Sequence, residues 1–374
     1  MGADAFSAPI DLMEAGMTSR EVISTLLSGQ QARIGLYENI WPDTLQNWSQ
    51  QGYPIEADPA EYFGMDIGRI GAAFDPSPRP GYNRIIEETS SWQIVEDGFG
   101  AVSKRFKGRS ATPGHIDWAM RDRSVWESRF KPALMELDEK RIPATHLSTK
   151  LKQYRADSKW ICFNMSFIWE GFRQAVGDVC MYESLLDDPE WILDFNETML
   201  RLYTTHIARA IELAGKPDGI WLSEDLAYNQ GLFCAPSVLE KLYMPYYRRF
   251  NEFAHANGLK VILHSCGDIT SALPLIIEAG FDALHPLQIH AGCDPFQIAA
   301  KYGRDIALIG GLDAHVIETN DLELIRSTQT ALIQGMRRAN ARYIFSSDHS
   351  LSTNVNYDTY RAILDTYHAL AERS

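Results

Sequence analysis

The C-terminal two-thirds of this chain alternates short apolar runs with amphipathic segments, and that rhythm admits few architectures. Residues 159–165 (KWICFNM), 219–222 (GIWL), 260–264 (KVILH), 283–287 (ALHPL), 306–309 (IALI) and 342–346 (RYIFS) read as buried strands. Between them the apolar positions return with helical period. Ile192, Phe195, Met199 and Leu202 share one face of a helix opened by Asp188-Pro189, and Leu322, Ile325, Leu332 and Met336 share another. Asn257-Gly258, Ala279-Gly280 and Tyr302-Gly303 stand where helix C-caps belong, each just before a strand.

Six β-then-α units result. An earlier strand at 32–37 follows a helix whose start carries a capping box, Thr18-x-x-Glu21. A further strand is expected near 91–95, turning at Asp97-Gly98 and returning through 101–106 as an inserted hairpin. Eight strands in this rhythm predict an α/β fold, a (β/α)8 TIM barrel with an N-terminal extension and an inserted β-hairpin. A doubly wound open sheet is the alternative, weakened because no Gly-rich phosphate fingerprint follows the first strand. With no repeat or linker-like stretch, residues 18–374 read as one domain behind a loosely held lead-in over 1–17.

Composition narrows the function. A formal charge of −14 argues against nucleic-acid binding or a polybasic membrane-surface role. No run approaches ~18 uninterrupted apolar residues, so no membrane span is expected. Five cysteines, an odd number, do not form a disulfide framework, and a reducing cytoplasm is the expected setting.

In a barrel of this kind chemistry is housed where strands end. The fifth ends in His264-Ser265-Cys266-Gly267-Asp268, which places an imidazole and a thiol two apart on an extended segment, so both reach one ion. Other strand ends supply Tyr37 and Glu38, Asn164, Glu224 and Asp225, His285 and Gln288, Asp313, and Asp348 with His349. So many acids in one cleft repel unless a cation or a proton offsets them, and a metal would do so. Blander readings stand beside these. One of Glu224 and Asp225 is expected to cap the next helix. His285 and His206 read more readily as structural, and Cys162 as core. Cys293 precedes a helix start and is a second candidate for a metal-bound sulfur.

HSCGD, then GFDALHPLQ, DIALIGGLDA, YIFSSDHS and NYDTYRAIL, together with 18–30, 41–54 and 236–249, resemble the uroporphyrinogen decarboxylase-like superfamily over nearly the whole chain. That resemblance implies a (β/α)8 barrel. True decarboxylases of this superfamily carry an Arg-rich N-terminal loop for a polycarboxylate tetrapyrrole. Here the corresponding stretch is Gly35-Leu36-Tyr37-Glu38-Asn39-Ile40-Trp41, with no arginine between Arg33 and Arg69. The mouth reads as acidic, against heme biosynthesis. The other branch, zinc methyltransferases working with corrinoid proteins, has His-x-Cys after the fifth strand and Cys after the eighth. His264 and Cys266 match the pair, whereas His349 stands at the last position. The resemblance therefore implies Zn2+ held by His264, Cys266 and His349, with a fourth position filled by Glu224, Asp225 or substrate, and Glu224, Asp225 and Asp313 as catalytic carboxylates. Tyr37, Asn164, Asp268, Gln288 and His285 are expected to bind substrate, with Asp268 and Asp313 also able to orient ligand imidazoles. The implied reaction is methyl transfer between a small substrate, such as a methoxylated aromatic compound, and a corrinoid supplied by a partner protein, with O-demethylation favoured. A homodimer is left open. The alternative is a metal-independent decarboxylase or lyase acting on a small substrate.

Overall fold

The computed structural model describes residues 16–110 and 113–371. The expected lead-in, 1–17, lies outside these residues except for its last two. Eight parallel strands form one sheet: β1 (Gly35–Leu36), β2 (Ile67–Ile70), β3 (Trp160–Met165), β4 (Gly219–Ser223), β5 (Lys260–His264), β6 (Ala283–His285), β7 (Ala307–Ile309) and β8 (Tyr343–Phe345). Their order around the sheet is β1-β8-β7-β6-β5-β4-β3-β2. Each strand therefore lies beside its neighbours in sequence, as a (β/α)8 barrel requires. The gap between β1 and β2 is bridged at Asp66. Its N–H donates to the Leu36 carbonyl at 2.8 Å, and its carboxylate accepts the Leu36 N–H at 2.7 Å.

That carboxylate is almost fully buried and also receives both guanidinium nitrogens of Arg33, at 2.9 and 2.5 Å. Asp66→Asn would put an amide donor among these donors and strip the guanidinium of its counter-charge. We expect a loss of about 3 kcal/mol, the low end for a broken buried pair because Arg33 is partly exposed. It would read as a lower urea midpoint at unchanged slope. An unaltered midpoint would show that Asp66 does not close the barrel.

The lumen is filled by Tyr37, Ile67, Trp160, Cys162, Trp221, Ile262, Ala283, Ala307, Ile309 and Ile344. Val22, Ile23, Leu26 and Leu27, on one face of the helix Ser19–Leu27, join the same cluster. The expected capping box starts that helix: Thr18 Oγ1 accepts from the Glu21 N–H, and Glu21 returns to the Thr18 N–H. Arg20 N–H donates to the Ser158 carbonyl ahead of β3, and Arg342 donates to the Leu26 carbonyl from just before β8. The helix thus stoppers the N-terminal end of the barrel, leaving the C-terminal end open for chemistry. Gly35 is needed where helix and β1 meet, because a Cβ there would lie 2.8 Å from Ile23 Cδ1 and 3.0 Å from Ile344.

Two expectations are corrected. The second barrel strand is Ile67–Ile70, not the stretch near 91–95. IGRI is too short to show a period, and its glycine and arginine hide it. Gly68 is small because the Tyr154 ring packs on it, and Arg69 projects toward the lumen aromatics Tyr37 and Trp221. The expected hairpin, in turn, is half of a four-stranded antiparallel sheet made of Asn83–Glu88, Trp92–Asp97, Ala101–Phe106 and Gly114–Trp118. It leaves the barrel from the C-terminal end of β2, so it begins at the open mouth. Among the described residues no helix is long and apolar enough to cross a membrane.

Candidate active site

Parallel pairing sets His264 opposite both His285 of β6 and Ser223 of β4. The loop that follows β5 is tied at every residue. Ser265 Oγ accepts the Leu226 N–H at 3.0 Å, the Cys266 N–H donates to Asp225 Oδ1 at 2.9 Å, and the Gly267 N–H donates to Gln288 Oε1 at 2.7 Å. Gly267 has φ +88°, and a Cβ there would collide with the backbone of Ala227 and Tyr228, so the glycine of HSCGD is required by close approach. Cys293 Sγ–H donates to the Gly267 carbonyl at 3.5 Å. Cys293 is thus a buried brace under the loop, and it does not join the donors above.

Those donors are Asp225, His264 and Cys266, whose ligand atoms all lie within 4.8 Å of one another. Cys266 Sγ is 3.5 Å from His264 Nε2, which is 3.6 Å from Asp225 Oδ1. The other ring nitrogen of His264 is occupied: Nδ1 lies 2.6 Å from Nδ1 of His285, and the rings stack with centroids 4.8 Å apart. With His264 Nδ1–H donating to His285, a lone pair on Nε2 faces the thiol and the carboxylate. Burial, reinforced by the charges of Arg69 and His349 against that of Asp225, lowers the His264 pKa to about 4. The ring is neutral at pH 7, as a metal ligand must be. Burial pushes the Cys266 thiol well above its ordinary range, and the negative charges of Asp225, Asp348 and Glu170 add to this. A cation would reverse that effect. A nitrogen, a sulfur and a carboxylate oxygen converging in this way fit zinc by donor type.

His349, expected as third donor, lies outside this group. It is exposed, with its ring edge-on to Trp41 at 6.2 Å. The loop after β8 is drawn toward β1 because Ser347 donates through N and Oγ to Glu38. Burial raises the Glu38 carboxyl to about 7.

Glu224 is the acid that caps. Its carboxylate is fully buried and accepts from the N–H groups of Phe167 (2.6 Å) and Trp169 (2.8 Å) and from Tyr247 Oη (2.5 Å), at the start of the helix Ile168–Val176. Its carboxyl group thus serves the cap expected of one of the two adjacent acids. Asp313 caps the helix Ala314–Glu318 through the His315 N–H and meets His290. Asp268 accepts from the Thr270 N–H within its own turn, and the second ring nitrogen of His264 meets His285 rather than an aspartate. Tyr37 is buried against Trp221, and Asn164 Oδ1 accepts from Ser223 Oγ at 3.3 Å.

A cavity of about 880 Å3 lies between the inserted sheet and the helices Ile168–Val176 and Asp178–Asp187 and reaches the donor group at Asp225. Asp225 and Glu170 line it together with Arg105, His115, Trp118 and Arg173. None of Tyr37, Asn164, Asp268, Gln288 and His285 is among its lining residues. The mouth is therefore less acidic than expected: Arg173 pairs with Glu170 at 2.6 Å, Arg105 Nε donates to Ser103 Oγ, and Arg69 donates to Asn39. These residues escaped the sequence reading. The signal available was position, because an insertion after a barrel strand must start at the catalytic face.

The family profile described as "Uroporphyrinogen decarboxylase (URO-D)" matches residues 228–370. Comparison with curated proteins found no match. Among solved structures, a methyltransferase from Methanosarcina mazei superposes with a TM-score of 0.66 at 11% identity, covering 94% of this chain and 99% of that one. The catalytic domain of the Bacillus sp. JAMB-750 GH26 endo-beta-1,4-mannanase superposes with a TM-score of 0.37 at 10% identity, covering 91% and 93%. The matched segment runs from β4's loop to the last helix of the eight-stranded parallel barrel, so the C-terminal part of this chain is similar to the uroporphyrinogen decarboxylase family.

Proposed function

We propose that this chain is a zinc-dependent methyltransferase of a corrinoid-linked system, moving a methyl group between a small methoxylated substrate and a corrinoid on a partner protein. The observation that carries the reading is the convergence of Asp225, His264 and Cys266, with Asp225 at the edge of a cavity of about 880 Å3. The fold likeness to a protein named as a methyltransferase supports it. The three residues would hold zinc, with Asp225 in the place first expected for His349. Bound there, zinc supplies a Lewis acid that favours the anionic form of an oxygen or sulfur leaving or attacking a methyl group.

The chain supplies the rest. His285 fixes the His264 ring, and Asp225 ties the Cys266 backbone. The inserted sheet forms one wall of the cavity. Trp118 and His115 stack with centroids 5.9 Å apart and offer flat surface to an aromatic ring, while Arg105 offers a guanidinium to a carboxylate on that ring.

Protein purified without chelator should contain one zinc per Cys266 site and should form methylcobalamin from cob(I)alamin and a methoxylated benzoate. Full turnover by chelator-treated, metal-free protein would overturn the reading. Because the thiol is held protonated, loading zinc at pH 7 should release about one proton per ion, and affinity should rise about tenfold per pH unit. Calorimetry in buffers of different ionisation enthalpy measures this; a heat independent of buffer would mean that Cys266 does not ligate.

A further inference from the structure

Next around the mouth from β5, the loops after β6 and β7 bring two more imidazoles to one carboxylate. His290 Nε2 lies 3.1 and 3.2 Å from the two oxygens of Asp313, and His315 Nδ1 lies 3.6 Å from Asp313 Oδ1. The ring centroids are 3.8 Å apart, and the three ligand atoms lie within 4.8 Å of one another. We propose that His290, Asp313 and His315 form a second divalent-cation site, separate from Asp225, His264 and Cys266.

Its second support is the way the site is built. Asp348, 2% exposed, accepts the Ile289 N–H at 2.9 Å on one oxygen and the Ala314 N–H at 2.8 Å on the other. One buried carboxylate thus clamps the residue before His290 and the residue before His315. Two histidines on separate loops are held to a common register before any ion arrives, which lowers the ordering cost of binding. A solvated His–Asp pair needs no such clamp. The cluster borders a cleft of about 320 Å3 that is also lined by Glu318 and His349. Two imidazoles and a carboxylate select a borderline first-row ion such as Zn2+, Co2+ or Ni2+ over Mg2+ or Ca2+, and leave coordination positions for a ligand in the cleft.

The test is titration of metal-stripped full-length protein with Co2+, following equivalents bound by dialysis and the thiolate-to-cobalt charge-transfer band that only Cys266 can give. The double variant His290→Ala/His315→Ala should lose one equivalent and keep the band. His264→Ala/Cys266→Ser should lose the band and keep the other equivalent. Asp348→Asn should weaken the second site by about 10- to 100-fold with its ligands intact. If no band forms in any protein but the first variant still loses its equivalent, this site stands while the Cys266 site falls. Should the first variant bind as many equivalents as the unaltered chain, or lose the band as well, the second site does not exist.

Discussion

Cys266→Ser is expected to cost one equivalent of zinc and to abolish methyl transfer while leaving the barrel folded. The serine hydroxyl keeps the volume and the backbone bond to Asp225, but it is a poor zinc donor at neutral pH. Partners that only orient a ligand are worth about 10- to 100-fold in metal affinity, so deleting a ligand should cost at least about 100-fold. His264→Ala should behave alike. His285→Ala should fall in the orienting class, since it frees the His264 ring without removing a donor. His349→Ala should retain zinc because its side chain lies outside the donor group. That order is the discriminating result. Equal zinc loss in the His349 and Cys266 variants would restore His349 as a ligand in place of Asp225, and unchanged zinc in the Cys266 variant would remove the site.

The barrel was legible wherever burial imposes a period. The six units from 159 to 346 and the capping box at Thr18 were readable because a strand buried on both faces and an amphipathic helix each leave a regular apolar signature. β2 left none: its four residues include a glycine placed by Tyr154 and an arginine placed by the lumen aromatics, both dictated by distant parts of the chain. The site divided in the same way. His264 and Cys266 are two apart on one strand end, so local geometry alone pairs them. Asp225 comes from another strand, and which of two adjacent acids turns inward to cap a helix depends on where the Phe167 and Trp169 N–H groups fall. His349 was favoured by its place in the sequence order, but the grip of Glu38 on Ser347 is a tertiary fact. The cavity wall was hidden for a similar reason, since the inserted sheet gains its meaning from the end of the barrel on which it sits.

Glu224→Ala should be the most destabilising substitution at the mouth, by about 4 kcal/mol, and its effect should be on folding rather than on chemistry. It would leave the Phe167 and Trp169 N–H groups and the Tyr247 hydroxyl buried without an acceptor, each costing about 1–3 kcal/mol. The helix Ile168–Val176 would also lose the negative group at its N-terminus. Glu224→Gln keeps one acceptor but sets an amide donor against donors, and should cost about half as much. The two variants also carry a pH signature. Burial raises the Glu224 carboxyl to about 7 from an ordinary value near 4.5. Between these values the unfolded chain has lost the proton that the folded chain keeps, so this group's contribution to stability falls as pH rises from about 4.5 to about 7 and is level above. Histidines whose pKa burial lowers, among them His264 and His285, act in the opposite direction over part of that window. The clean measure is therefore the difference between unaltered protein and Glu224→Gln, from urea midpoints at pH 5 and pH 8. The difference should narrow at the higher pH, where the unaltered chain has lost the advantage of its buried proton. A Glu224→Gln protein that is as stable as the unaltered chain at both pH values yet inactive would instead return Glu224 to the reacting groups.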